Sequence, residues 1–146
     1  MKKATGCYPR VQVDAAGSGV VSQAGGVMVT EAVRALGIDR ALSEALTPWR
    51  KPLAVHDPAK VVLDLAVTLA LGGDFLSDVA VLRAEPGIYG RVASDPTVSR
   101  AIDALAVDAP RALAAINTAR AQARAQVWAL PACTPRTPAP TRTGRW

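Results

Sequence analysis

From Val61 to Gly73 thirteen consecutive residues carry one charge, Asp64, and this run limits what the rest of the chain can do. It follows Asp57 and Pro58, an N-cap carboxylate and a residue suited to the first helical position, and it closes on Gly72 and Gly73. The pattern predicts a helix from about Pro58 to Leu71 that is apolar on nearly every side. Such a helix has to be surrounded. A bilayer span needs about 20 apolar residues, so this one is read as the central helix of a packed core. The N-terminus has Lys2 and Lys3 but then Gly6, Tyr8 and Pro9 where a signal peptide needs its apolar stretch, so neither secretion nor membrane insertion is expected.

The segments on either side supply the partners. Val11–Asp14 and Gly19–Ser22, joined by a turn containing Gly17, predict an N-terminal β-hairpin, after which Gly25 and Gly26 break the pattern. Val29, Ala32, Val33 and Leu36 have helical spacing over Val27–Leu36, with Gly37 as C-cap. Asp39 is expected to cap a second helix carrying Leu42 and Leu46 and stopped by Pro48, with Trp49 as a lid on the core. Asp74 is expected to cap a helix from Phe75 to about Ala84, and Glu85–Gly90 a loop leading to Arg91. A long Ala-rich helix from Pro110 to about Leu130 places Leu113, Ile116, Ala119, Ala123 and Val127 on one stripe. The fold class expected is mainly α: a hairpin, then a helical bundle with a helix-turn-helix-like unit and a long C-terminal helix.

Three stretches are expected: a flexible start over 1–9, a helical domain over 10–130, and a basic tail over 131–146 whose Pro, Thr and Arg lack any periodicity and predict disorder. That tail is unlike the rest, as after a frameshift or in a natural linker. The formal charge of +5 is uneven: residues 1–108 hold eleven Lys or Arg against twelve Asp or Glu, whereas residues 109–146 hold six Arg and no acid. A basic block of this kind suits a polyanion. Cys7 and Cys133 are far apart and are expected to be free thiols in a reducing cytoplasm.

One helix can carry a function. Asp95 is placed as its N-cap and Pro96 at its first turn; Val98, Ile102 and Leu105 form a core stripe, and Thr97 and Arg100 face elsewhere with Ser99 beside them. A guanidinium with short hydroxyls is what a helix in a DNA groove would present, Arg to guanine edges or phosphates and Thr or Ser to phosphates or bases. Arg91, Arg111 and the i, i+4 pair Arg120 and Arg124 are candidate phosphate contacts, the last two repelling each other unless an anion lies between them. The bland reading of this set is an ordinary capped surface helix.

Other chemistry is excluded or weak. His56 is the only histidine, so no site built on several imidazoles exists here, and no phosphate loop or dinucleotide fingerprint occurs. Asp14, at the end of a first strand before a glycine turn, resembles the opening carboxylate of a ribonuclease-H-like nuclease, but no further strands follow it in the pattern. No catalytic residue and no metal ligand is assigned.

Taken together, Val20–Gly26 (VVSQAGG), His56–Leu71 (HDPAKVVLDLAVTLAL), Gly72–Leu82 (GGDFLSDVAVL), Ala93–Ile102 (ASDPTVSRAI) and Leu113–Ala119 (LAAINTA) resemble the N-terminal region of bacterial insertion-sequence transposases with a DDE catalytic domain of the group 1 type. The resemblance covers about residues 10–130. It implies a DNA-contacting helical part, with Thr97, Ser99 and Arg100 as contacts and Arg91, Arg111, Arg120 and Arg124 in support. It also implies terminal inverted repeats as the DNA partner, with a homodimer or a full-length transposase as protein partner. In that family the metal-binding carboxylates follow the long helix, so a divalent metal such as Mg2+ is implied only for a domain this chain lacks, and the chain is expected to be inactive alone. The rival readings are a stand-alone helix-turn-helix regulator, a non-functional remnant, and a nuclease built on Asp14.

Overall fold

A computed structural model describes residues 6–12 and 24–129. The chain there is helical: α1 (Ala24–Ala35), α2 (Ile38–Ala45), α3 (Pro58–Ala70), α4 (Val79–Ala84), α5 (Pro86–Tyr89), α6 (Asp95–Ala106) and α7 (Ala109–Ala129), with 3-10 turns at Thr47–Trp49 and Leu76–Asp78. Among the described residues no helix is long and apolar enough to cross a membrane.

The apolar run does form the central helix. Asp57 caps α3 as expected, its Oδ1 accepting from the Ala59 amide at 2.9 Å. Ala59, Leu63 and Val67 on α3 pack with Val27 of α1, Leu42 and Leu46 around α2, Leu82 of α4, Ile88 and Tyr89 of α5 and Ala119 of α7. Gly37, at φ 62, lets α1 turn directly into α2, a left-handed conformation that costs glycine nothing. The longest packing seam runs between α2 and α7, whose buried residues are Ala112, Ala119 and Ala123. Small side chains let the two helices approach closely. The stripe expected on α7 is therefore rotated: Ile116, Ala119 and Ala123 face inward, but Leu113 and Val127 point to solvent.

The N-terminal hairpin is not supported. Among the described residues there is no strand, and Val11 and Gln12, expected to open the first one, are irregular; its other residues, 13–22, lie outside the described part, as do Asp14, Cys133 and the tail over 131–146. The physical reason is visible just upstream. Residues 6–12 lie as a strap on the helices: the Cys7 amide donates to Asp39 Oδ2 at 3.1 Å, and the buried Tyr8 hydroxyl donates to Asp64 Oδ1 at 3.0 Å. Contacts of this kind hold residues 6–12 against helices and not against a second strand.

Three carboxylates expected at helix caps, Asp39, Asp74 and Asp95, do not cap. Asp39 lies inside the first turn of α2, is buried, and holds the strap. Asp78, not Asp74, terminates the turn before α4: the amides of Phe75 and Asp74 donate to its Oδ2 at 2.8 and 2.9 Å and hold its carboxyl below the usual range. Ser94 is the N-cap of α6, leaving Asp95 to pair with Arg83 at 2.8 Å. The segment 85–90 is not a plain loop, since α5 occupies Pro86–Tyr89, and α1 begins before Gly25 and Gly26 instead of after them.

Inside the strap, burial and the charge of Asp39 push the Cys7 thiol up to about 11 from 9.0. At pH 8 its thiolate is then roughly a hundredfold scarcer than that of an ordinary cysteine, partly offset because a more basic thiolate attacks faster. In a Cys133→Ser chain we expect iodoacetamide to alkylate Cys7 roughly tenfold more slowly than a free peptide cysteine. Mass spectrometry over time reads this, and an ordinary rate would mean that the strap does not stay closed.

Candidate nucleic-acid interface

The side chains singled out on α6 do not all face one way. Val98 is buried against Val61 of α3 and Ala93, which turns Thr97, Arg100, Ala101 and Ala104 toward the loop that precedes α3. There they line a groove of about 230 Å³ with Trp49, Lys51, Ala54, His56, Pro58 and Val61. Ser99, two residues and about 200° round the helix from Thr97, is exposed on another side and does not line the groove.

Arg100 lies folded back on its own helix. Its Nε donates to the Pro96 carbonyl at 2.9 Å and one terminal nitrogen reaches Thr97 Oγ1 at 3.4 Å, while Thr97 Oγ1 also meets Ser94 Oγ at 3.0 Å. No carboxylate among the described residues pairs with Arg100, nor with Arg91, Arg120 or Arg124. The Arg111 guanidinium sits 5.5 Å over the Trp49 ring and 3.9 Å from Asp108. Trp49 is thus a lid, packed on the main core, and also a platform for a cation. Partial burial and the nearby Arg91 and Lys60 charges push the His56 imidazole down, so it is neutral at pH 7.

Thr97 and Arg100 therefore line one groove and Arg111 stacks on its Trp49, whereas Arg91 is not in the lining and Arg120 and Arg124 lie further off. α7 runs from Trp49 toward Gly37, where Gln126 reaches the α1–α2 turn. At 1.5 Å per residue Arg120 and Arg124 lie roughly 14 and 20 Å further along than Arg111. Sequence reasoning missed Lys51 and His56 as groove residues, although the cluster Trp49, Arg50, Lys51 ahead of a helix cap carried the signal.

The unit presenting α6 is also not a standard helix-turn-helix. The six-residue α4 is separated from α6 by α5 and an extended stretch, and the join is made by Arg83, which donates to the Ala93 carbonyl at 2.9 Å and pairs with Asp95. What holds α6 in place is α3 beneath it.

The loop closing the groove contains one strained residue. Ala54 N donates to Lys51 O at 3.1 Å, with Pro52 and Leu53 at the two central positions of the turn and Leu53 at φ 62. Proline first and positive φ second is type II geometry, which favours Gly or Asn at the second place. A leucine there costs about 1 kcal/mol or more, and its side chain is 100 % exposed.

A family model described as transposase DDE domain group 1 matches residues 3–134. The chain belongs to that family. No curated protein and no solved structure matches it. In this transposase-family chain several acids among the described residues serve the structure: Glu31 with Arg34, Asp57 with Arg50 and Ser43, Asp64 with Lys60 and Tyr8, Asp78 with two amides, Asp95 with Arg83. No three His, Cys, Asp or Glu among the described residues lie close enough to hold a metal. The divalent ion implied by the resemblance thus has no donor set in residues 6–12 and 24–129.

Proposed function

We propose that this transposase-related chain is a DNA-binding part of the transposition machinery, engaging the terminal inverted repeats of its element through the groove between α6 and the Trp49–His56 loop, and contributing binding, not strand chemistry. The observation that carries the reading is a groove with a partly apolar floor lined by Lys51 and Arg100, with the exposed Arg111 stacked on its Trp49. A cluster of cations with little acidic compensation repels itself and is relieved by a polyanion. Thr97 and Ser94 supply short hydroxyls at the helix start, where phosphate oxygens are also favoured by the helix dipole. In this reading Arg100 releases its own helix and turns to the DNA, Arg91 and Arg111 contact phosphates, Ser99 reaches the backbone on the far side of α6, and Arg120 and Arg124 contact the duplex further along. The protein partner is a second copy or a full-length transposase.

The test is fluorescence anisotropy of the purified chain on the inverted repeats flanking its gene against scrambled duplexes, at two salt concentrations. Arg100→Ala is expected to weaken binding to the repeat by roughly ten- to a hundredfold and to narrow the preference over scrambled DNA. Arg120→Ala is expected to weaken binding to both duplexes alike and to lower the salt slope by about one. Equal binding of both DNAs by the unaltered chain would overturn the specific-reader assignment.

A further inference from the structure

Leu53 is not accounted for by the fold. The turn that holds it prefers Gly, and the leucine side chain is exposed along its whole length, so neither backbone geometry nor burial favours it there. Val55, 69 % exposed, extends the same apolar knob. The knob belongs to the loop that walls the groove: Lys51 and Ala54, which flank Pro52 and Leu53, line it together with Arg100 of α6. Pro52 fixes its own φ and the Lys51–Ala54 hydrogen bond closes the turn, so the side chain is offered on a short, stiff support that loses little entropy on insertion.

An exposed leucine on a loop whose Lys51 lines the same groove as Arg100 has a specific use on DNA. Lys51 and Arg100 attract phosphates, and the apolar tip gains by leaving water for the space between two base pairs opened at a step. The same cations disfavour a second copy of the chain as the occupant, because the two basic surroundings would repel. We propose that Leu53 is a wedge that enters the duplex held by the α6 groove and kinks it at that point. The proposal rests on the DNA-binding reading above and adds a deformation to it.

The test uses the full chain and a duplex of about 30 base pairs containing the terminal repeat, with donor and acceptor dyes at its ends. Binding of the unaltered chain is expected to bend the duplex by roughly 20–90°, seen as a rise in energy transfer at saturation. Leu53→Gly suits the turn, so its thermal midpoint should be unchanged or higher, and its complex should show the transfer of free DNA. Leu53→Phe should restore the bend. A Leu53→Gly complex as bent as the original, or an unaltered chain that binds the duplex without bending it, overturns the wedge and leaves the DNA-binding reading standing. No binding to any duplex overturns both. Light scattering that shows Leu53→Gly splitting a dimer while bending is unchanged would make the knob a self-association surface and also overturn the wedge.

Discussion

Lys60→Ala is expected to cost about 3–5 kcal/mol, a large part of the roughly 5–15 kcal/mol that holds a typical domain together. Lys60 and Asp64, at i and i+4 on α3, are both buried, and the ammonium pairs with Asp64 Oδ1 while lying 4.4 Å over the Tyr8 ring. Burial pushes the Asp64 carboxyl up and the Lys60 charge draws it back down. Without Lys60 the carboxylate keeps one hydrogen bond, from Tyr8, and its Oδ2 has none already. The chain must then either hold an uncompensated charge or protonate Asp64. Replacing all three groups at once, Tyr8→Phe with Lys60→Met and Asp64→Leu, removes the charges together and is expected to return most of the stability. Urea unfolding midpoints of the two variants decide the matter: a Lys60→Ala chain as stable as the original would mean that the pair is not buried.

Gly26→Ala is the second large effect, and two forces of opposite sign meet there. Alanine inside a helix is ordinarily worth roughly 0.5–1 kcal/mol over glycine. A Cβ on Gly26, however, would overlap the hydroxyl of fully buried Tyr89 and lie 2.9 Å from its Cζ. Overpacking of that kind costs about 1–3 kcal/mol or more, so the clash wins and the thermal midpoint falls. Next to it Gly25 has nothing within 4 Å of its Cβ direction, and Gly25→Ala should raise the midpoint instead. The Tyr89 hydroxyl has no hydrogen-bond partner in its buried position, so Tyr89→Phe should cost little or stabilise, and it should lessen the damage done by Gly26→Ala. Equal damage from Gly26→Ala with and without the hydroxyl would place the strain elsewhere.

These two sites also show where sequence reading stops. The apolar run, the Asp57–Pro58 start and the Gly72–Gly73 stop were legible because the signals are local: a cap, a fixed φ and a missing Cβ act over a few residues. On α6 helical spacing placed Val98 inward and Arg100 outward, but it also put Ile102 in the core stripe, and Ile102 is 41 % exposed. Gly26 read as a break because nothing in its neighbourhood announces Tyr89, 63 residues on, as the group that needs the space. Asp39, Asp74 and Asp95 read as caps because an acid ahead of an apolar run is the commonest cap signal; which of several nearby acids takes the amides depends on what else competes for it, here the strap for Asp39 and Arg83 for Asp95. Asp64 stood out as the one charge in the apolar run, but its pairing with Lys60 and Tyr8 was not read, because the Tyr8 partner lies 56 residues away. Of the candidate site, Thr97 and Arg100 line the groove and Arg111 stacks on its Trp49, while Ser99, Arg120 and Arg124 are set apart by helix phase and by the length of α7, quantities fixed only once Val98 and Ala119 are known to point inward.

The strap has a meaning in time as well as in space. Tyr8 meets Asp64 across 56 positions of chain, and the surface it lands on exists only after α1, α2 and α3 have met. Closing so wide a loop gains nothing until that surface is in place. Tyr8 is therefore expected to dock late as the chain folds and to leave early as it opens, a latch whose contacts bear on how long the native state survives more than on how fast it forms.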